Sequence, residues 1–232
     1  EKNPLGQISR SVYDGYSRVV EKIDPSGKSE VNTYDKRGLV KISKDRNGNQ
    51  TYYRYDELGR NLEMVDSLGY RTKKKYDIRG LVTEEENAVG SKTTYTYDNL
   101  GRTIEVATDE INSLPTKYEY DLKGNKTKII HGNQETLFTY DFLDRLTKTT
   151  YPSQSGLINY ETYTYDAEGK MLTKTDRNSV TFNYEYTKLN QIKKLSYSTS
   201  KPAVNYTYNQ WGEVLSLTDS VLNKNYTYDN KG

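Results

Sequence analysis

Tyr-Asp-Glu-Leu-Gly-Arg at residues 55–60 returns as Tyr-Asp-Asn-Leu-Gly-Arg at 97–102 and as Tyr-Asp-Phe-Leu-Asp-Arg at 140–145. Equivalent tyrosines recur at intervals of 20 to 25 residues along the chain. These repeat tyrosines are Tyr13, Tyr34, Tyr55, Tyr76, Tyr97, Tyr120, Tyr140, Tyr165, Tyr186, Tyr208 and Tyr228. A near-fixed period of this length indicates a repeat architecture. Residues 1–232 are therefore interpreted as one array of about eleven units, an excerpt of a longer repeat region.

The residues after each tyrosine carry a turn signal. Aspartate is favoured at the start of a type I turn because its carboxylate accepts hydrogen bonds from nearby backbone amides. A glycine three residues later can adopt positive φ and form the bulge that suits a hairpin. These turn residues are Asp35 and Gly38, Asp56 and Gly59, Asp77 and Gly80, Asp98 and Gly101, Asp121 and Gly124, and Asp166 and Gly169. Asp144 and Asn190 replace the glycine and tolerate the left-handed region, whereas Ser17 fits the pattern poorly.

A second turn lies about halfway between successive tyrosines, as in Asp24 to Gly27 and Asp45 to Gly48. After residue 109 it becomes looser, and its equivalents are His131 to Asn133, Tyr151 to Gly156 and Asp176 to Ser179. Turns every 10 or 11 residues leave strands of about six residues, a spacing typical of antiparallel β structure. The sequence therefore predicts an all-β fold of tandem antiparallel β-hairpin repeats, about 21 residues each, forming a curled or spiral sheet. No linker or domain boundary is predicted.

The strands alternate between two kinds of residue. Tyr95 and Tyr97 flank a threonine, and Tyr184 and Tyr186 flank a glutamate, so each pair of rings points to one face. This pattern predicts one aromatic face and one face of Thr, Lys and Glu. We expect each tyrosine to bury its ring and to leave its hydroxyl on a wet edge.

Composition excludes several classes of function. Only 33% of the residues are hydrophobic, although 24 are tyrosine. The 34 Lys and Arg against 32 Asp and Glu give a net charge of +2, which argues against a dedicated nucleic-acid binder. The absence of cysteine excludes disulfides and thiolate metal sites. No apolar run approaches the roughly 18 residues of a membrane span, so membrane insertion is not expected.

The motifs quoted above resemble the signature of the RHS or YD repeats. That family includes bacterial Rhs polymorphic toxins, wall-associated proteins of Gram-positive bacteria, C subunits of insecticidal toxin complexes, and teneurins. The resemblance implies a β-sheet spiral that encloses a C-terminal toxin or effector domain. It also implies that the partners are the rest of the parent shell and its enclosed domain, and that the protein is secreted or on the cell surface. Composition favours a bacterial, cell-wall-associated source.

Catalysis is not expected. The only histidine, His131, lies in a predicted loose turn, and cysteine is absent. Adjacent Tyr and Asp on a strand point to opposite faces, so the repeated pairs cannot act as dyads. We therefore expect no catalytic residue, no metal site and no cofactor. The basic run Lys73 to Lys75 is interpreted as a solvated strand beside the acidic run Glu84 to Glu86, and contact with an anionic polymer is the less favoured reading.

The alternative function is a carbohydrate-binding or adhesive module, because exposed tyrosine rows could stack on cell-surface glycans; the ligand-binding residues are unknown. About 22 strands at roughly 4.8 Å would close into a ring only about 30 Å across, too small for a folded cargo domain. We therefore expect an open sheet whose unpaired edges, near Tyr13 and Tyr228, are free for edge-to-edge self-association.

Overall fold

The computed structural model describes residues 8–221 and 223–228, and all regular structure within these ranges is β. The strands are β1 (Arg10–Tyr13), β2 (Val19–Ile23), β3 (Ser29–Tyr34), β4 (Val40–Lys44), β5 (Gln50–Tyr55), β6 (Asn61–Val65), β7 (Arg71–Tyr76), β8 (Val82–Glu86), β9 (Lys92–Tyr97), β10 (Thr103–Thr108), β11 (Thr116–Tyr120), β12 (Lys126–His131), β13 (Gln134–Tyr140), β14 (Leu146–Thr150), β15 (Tyr160–Tyr165), β16 (Met171–Thr175), β17 (Thr181–Tyr186), β18 (Ile192–Tyr197), β19 (Val204–Tyr208), β20 (Val214–Thr218) and β21 (Asn223–Asn225). The predicted all-β class of antiparallel hairpins is confirmed. The turn predicted after Tyr228, with Gly232, lies outside the described residues.

The chain divides into two compact units, Glu1–Pro115 and Thr116–Gly232. In the first unit each strand from β1 to β10 pairs antiparallel with the next one. In the second unit β11 to β21 pair in the same consecutive way. Within the described residues, neither unit pairs its first strand with its last, so each is an open sheet. The interpretation of residues 1–232 as one array stays a prediction.

In the part of the chain that the structure describes, each hairpin closed by a repeat tyrosine from Tyr13 to Tyr208 contains a β-bulge beside that tyrosine. In the third hairpin Arg54 pairs with Glu63, but Tyr55 pairs with Asn61, so the register shifts between Arg54 and Tyr55. The same shift occurs at Tyr34, which pairs with Val40. Because a bulge adds one residue to one strand, it bends the hairpin and increases its twist. The tyrosine therefore has a fixed position beside the turn in each repeat.

The residue that closes each of these turns has positive φ. Gly59 has φ 83°, and the two substitutes Asp144 and Asn190 have φ 62° and 64°. Ser17, the poor fit in the sequence, adopts the same conformation with φ 61°, and its amide donates to the Asp14 carbonyl at 3.0 Å. Four different residue types thus occupy one backbone conformation, and glycine occupies it most often because it has no Cβ to strain.

The second turns follow the same geometry more widely than the sequence suggested. Ser179 has φ 62° and its amide donates to the Asp176 carbonyl at 3.0 Å, so this turn is regular rather than loose. The placement of His131 in a loose turn was wrong. His131 is the last residue of β12 and pairs with Gln134, which leaves only Gly132 and Asn133 to connect β12 and β13. The strand register extends to the histidine because a two-residue loop is enough to reverse the chain.

No hydrophobic side chain of the described residues is fully buried, and the one buried polar residue, Thr149, is 4% exposed. Side chains instead pack within the faces of each sheet. Tyr53 pairs with Met64 on the face that carries the repeat tyrosines, whereas Arg54 pairs with Glu63 on the opposite face. Each unit is therefore stabilised by contacts between neighbouring strands and not by a central core.

Gly59→Val should destabilise the protein more than Gly59→Asn. Valine at φ 83° costs about 1–2 kcal/mol, and an added Cβ lies 3.4 Å from the Leu39 Cδ1 atom. Asparagine tolerates this conformation, as at Asn190. Thermal unfolding measures the difference, since 1 kcal/mol shifts the midpoint by about 2–4 °C in a chain of this size.

Gly69→Val is the matched control. Gly69 has φ +86°, but no atom lies within 4 Å of an added Cβ, so its variant isolates the backbone strain from the Leu39 contact. Equal midpoints for Gly59→Val and Gly59→Asn would contradict the assigned turn.

Candidate functional site: the contact between successive hairpins

Repeat tyrosines in both units reach back to the preceding hairpin. The Tyr55 hydroxyl donates to the backbone carbonyl of Val40 at 2.9 Å, and Val40 is the residue that pairs with Tyr34, the tyrosine of the preceding repeat. The Tyr76 hydroxyl likewise donates to the carbonyl of Asn61 at 2.8 Å, and Asn61 pairs with Tyr55. We call this hydrogen bond the tyrosine link.

The tyrosine link recurs in both units with O···O distances of 2.6 to 2.9 Å. The donors are Tyr34, Tyr55, Tyr76, Tyr97, Tyr140, Tyr165, Tyr186, Tyr208 and Tyr228. Tyr13 on β1 is 58% exposed, and Tyr120 ends β11 opposite Lys126. The hydroxyls that form the link therefore have a backbone partner, which the sequence did not predict. The bulge brings the ring beside the previous turn, where a carbonyl with two lone pairs can accept its proton.

Burial of these rings changes their acidity. Desolvation raises the pKa of six tyrosines that form the link above 10.0, because the charged phenolate is disfavoured away from water. They are Tyr55, Tyr97, Tyr140, Tyr165, Tyr186 and Tyr208. At neutral pH each phenol keeps the proton that the link requires.

Where an aspartate follows the repeat tyrosine within the described residues, its carboxylate holds the turn. The Asp56 carboxylate accepts hydrogen bonds from the Leu58 amide at 3.0 Å and the Arg60 amide at 2.9 Å. At Asp35 the hydrogen bond from the Leu39 amide lowers the pKa of the carboxyl, with further donation from Arg37. The aspartate is therefore ionised and engaged with the backbone, and it does not converge with its neighbouring tyrosine.

A basic side chain crosses from each of several turns to the next repeat. Arg60 donates to the Asp77 carbonyl at 3.0 Å and lies 4.8 Å above the Tyr76 ring. Arg145 makes the same two contacts. It donates a hydrogen bond to the Asp166 carbonyl at 2.7 Å, and its guanidinium lies 5.0 Å from the centre of the Tyr165 ring. Such cation–π contacts contribute about 0.5–1 kcal/mol at exposed sites. The arginine therefore reinforces the tyrosine link from the turn side.

Alternate repeats of the first unit exchange the arginine with a leucine. In Arg-Gly-Leu at 79–81, Arg79 donates to the Asp98 carbonyl at 2.8 Å, and the Leu81 Cδ1 atom lies 3.5 Å from an added Cβ at Gly101. In Leu-Gly-Arg at 58–60 the two residue types have changed places. In both arrangements, one arginine side chain donates a hydrogen bond to a backbone carbonyl of the next repeat. Sequence reasoning missed this role, although the swap around the glycine was the available signal.

Two clusters of charge lie on the sheets. Lys73, Lys74 and Lys75 form ion pairs across the strands with Glu86, Glu85 and Glu84 at 2.8, 2.7 and 3.1 Å. The run is thus neutralised by its neighbouring strand, as the favoured reading of the sequence expected.

In the second unit, Glu161 accepts from the hydroxyls of Tyr163 at 2.7 Å and Tyr151 at 3.1 Å. Burial, followed by the hydrogen bond to Glu161, raises the pKa of Tyr163 to about 12. The Lys174 ammonium also lies 3.4 Å from the Glu161 carboxylate. The carboxylate therefore has three partners, and the charge of Lys174 balances its own.

His131 is exposed, and its Nδ1 atom lies 3.1 Å from the Thr116 hydroxyl. Within residues 8–221 and 223–228, no group of three or more His, Cys, Asp or Glu side chains is arranged to hold a metal ion. The same residues contain no helix with the length and apolar character that a membrane span requires.

The sequence profile of the family described as Teneurin YD-shell matches residues 60–191, more than half of the chain. The search of curated proteins found no match. The crystal structure of TcdB2-TccC3-Cdc42 is similar over 96% of this chain, with a TM-score of 0.68 and 17% identity. The crystal structure of TcdB2-TccC3-TEV is similar over 91%, with a TM-score of 0.53 and 16% identity. The chain spans only 15% and 16% of these two solved chains, and the likeness is one of fold.

Tyr55→Phe should destabilise the protein by about 0.5–1.5 kcal/mol, because it removes the hydroxyl of one tyrosine link and keeps the ring. Tyr53→Phe is the matched control. Tyr53 lies two residues earlier on the same strand and face, is also half-buried, and its hydroxyl has no partner within the described residues. Denaturant unfolding of both variants compares the two hydroxyls directly. Equal losses would show that the link adds no stability.

Alkaline pH should destabilise the fold. A phenol whose folded pKa exceeds its unfolded value of about 10 contributes stability that is complete below that pH and is lost as the pH rises through the folded pKa. Six of the linked tyrosines have a pKa raised above 10.0, so each loses this contribution to stability as the pH rises above about 10. The unfolding midpoint, measured from about pH 8 to pH 11, should fall steeply above pH 10, and less steeply in a Tyr55→Phe, Tyr97→Phe, Tyr186→Phe variant. A midpoint that stays level across this range would refute the expectation.

Proposed function

The chain belongs to the Teneurin YD-shell family, and from this premise we propose that it is a non-catalytic wall segment of a shell that encloses a toxin or effector domain. The observation that carries the proposal is the tyrosine link, which ties one hairpin to the hairpin before it. A sheet held together in this way needs no central core, so its length is not limited by the size of a core. Such a sheet is suited to a wall.

The repeat residues support a structural role over a chemical one. The carboxylate of each turn aspartate accepts hydrogen bonds from backbone amides, as at Asp56. The hydroxyl of each linked tyrosine donates a hydrogen bond to a backbone carbonyl, as at Tyr55. A general acid or base needs a proton that it can transfer to a substrate within hydrogen-bond reach. In these repeats the two candidate groups are committed to the backbone. The purified chain is therefore expected to hydrolyse no peptide, glycan or nucleic acid.

The rest of the proposal concerns the parent protein. Because the chain spans about 15% of the solved TcdB2-TccC3-Cdc42 chain, we infer that further repeats complete the enclosure. A third similar structure, with a TM-score of 0.50, is described as TcdB2-TccC3 without hypervariable C-terminal region. That protein therefore has a C-terminal region that can be removed from the rest of the chain. By analogy, the enclosed domain of this protein follows its repeats. A secreted location fits this role, and a cell-wall location is part of the same proposal.

Carbohydrate binding by the repeat tyrosines has less support. Stacking on a sugar needs an exposed ring face, whereas Tyr55 and Tyr76 are half-buried and Arg60 covers the ring of Tyr76. A glycan array with the 232-residue chain tests this alternative. Binding that disappears on substitution of repeat tyrosines would favour the adhesive function over the wall.

Limited proteolysis of the full-length parent protein tests the proposed enclosure. The C-terminal domain should resist protease in the native protein and should become cleavable in a Tyr76→Phe, Tyr97→Phe variant, which opens two adjacent links in the wall. Tyr53→Phe serves as the control and should leave the protection unchanged. A C-terminal domain that is cleaved as fast in the native protein as after unfolding would refute the enclosure.

A further inference from the structure

The turn between β4 and β5 has the sequence Asp45-Arg46-Asn47-Gly48, and Asn47 is the only asparagine of the chain that precedes a glycine. Both Asn47 and Gly48 are exposed. We propose that Asn47 is a site of spontaneous deamidation, at which the side-chain amide is lost and an isoaspartate or aspartate remains. This modification goes beyond the wall function and does not depend on it.

The reaction needs only these two residues and water. The backbone nitrogen of Gly48 attacks the Cγ atom of the Asn47 side chain, and the new C–N bond closes a five-membered succinimide. The side-chain nitrogen leaves as ammonia and takes the proton that the backbone nitrogen loses. Water then opens the ring at one of its two carbonyl carbons. Opening at the backbone carbonyl gives isoaspartate, whose main chain runs through Cβ and Cγ, and opening at the Cγ carbonyl gives aspartate.

The glycine at position 48 makes this attack possible. A side chain on the residue after the asparagine hinders the approach of its nitrogen to Cγ, and glycine has no Cβ. Gly48 has φ +90°, and an added Cβ there lies 3.7 Å from the Cε atom of Lys44, the flexible end of an exposed side chain. The turn is therefore open to the water that the second step consumes.

The hydrogen bonds of the turn slow the reaction. The Gly48 amide donates to the Asp45 carbonyl at 3.0 Å, and the Asn47 amide donates to the Asp45 carboxylate at 2.8 Å. The Gly48 nitrogen must leave this carbonyl before it can attack Cγ. Because exposed turns open locally at a low cost in free energy, the folded chain should react, but more slowly than the unfolded chain.

The second unit contains a matched turn without the glycine. Its sequence, Asp176-Arg177-Asn178-Ser179, begins with the same three residue types. The Ser179 amide donates to the Asp176 carbonyl at 3.0 Å, and the Asn178 amide donates to the Asp176 carboxylate at 2.9 Å. Asn178 is exposed, as Asn47 is. At the attacking nitrogen the two turns therefore differ by the side chain of Ser179.

The main product changes the turn. The Asp45 carboxylate accepts hydrogen bonds from the amides of Asn47 and Asn49 at 2.8 and 2.9 Å. Isoaspartate at position 47 lengthens the main chain by one carbon between these two donors, so both cannot keep their places on one carboxylate. Each product also adds a negative charge beside Asp45. The modification therefore loosens the turn that joins β4 to β5, and the change is irreversible without an enzyme that repairs isoaspartate.

Incubation of the 232-residue chain at mildly alkaline pH, followed by peptide mapping with mass spectrometry, tests the inference. The replacement of –NH2 by –OH should be roughly tenfold faster at Asn47 than at Asn178, because only Asn47 precedes a residue without a Cβ. In a Ser179→Gly variant, Asn178 should react about as fast as Asn47. In a Gly48→Ser variant, Asn47 should become as slow as Asn178. Both variants should fold, because serine and glycine each occupy this conformation in the native chain, and unfolding midpoints check this.

Two results would overturn the inference: an Asn47 side chain that reacts no faster than Asn178 in the folded chain, or a folded Ser179→Gly variant in which Asn178 stays as slow as before. The chain in denaturant is the positive control, and Asn47 should react faster there because the hydrogen bonds of the turn are absent. None of these results bears on protection of the enclosed domain, so failure of this site and failure of the wall function are separate outcomes.

Discussion

The hydrogen bond from a tyrosine hydroxyl to the carbonyl of the preceding hairpin is the constraint on which this protein depends. The described residues provide no buried hydrophobic core, so each hairpin obtains its stability from its neighbours. The link works because three features coincide: a bulge positions the ring, the aspartate turn positions the carbonyl, and partial burial of the ring shields the hydrogen bond from competing water. The loss of any of the three weakens the contact between repeats.

Polar groups provide much of the order in these sheets. The Asp35 carboxylate accepts from the Leu39 amide at 2.9 Å, Arg60 donates to the Asp77 carbonyl at 3.0 Å, and Lys73 lies 2.8 Å from Glu86. Isolated exposed pairs contribute little, about 0–1 kcal/mol each. Their effect here comes from repetition and from register, because a strand that slipped by one residue would lose several partners at once. The fold is thus specified by many small interactions of the same kind.

A repeat that stabilises only its neighbours has a consequence for function. Stability accumulates along the row, because each repeat contacts the repeats beside it. Side chains at the tips of the turns, such as Leu58 and Ile78, are exposed, whereas the tyrosines that contact the preceding hairpin are half-buried. The interior of each repeat therefore serves cohesion.

Much of the fold was determined by the sequence alone. The tyrosine period, the Asp-to-Gly turn at Asp56 and Gly59 and the alternation at Tyr95 and Tyr97 are local signals, carried by residues close together in the chain, and they sufficed for the strand order, the turns and the family. The destination of the tyrosine hydroxyls was decided by tertiary structure. Tyr55 and Val40 are 15 residues apart, and they meet only because a bulge shifts the register by one residue. The conformation of Ser17 and the division into two units were likewise absent from the sequence pattern. Such features depend on how strands pair, because a shift of one residue changes every partner across a sheet.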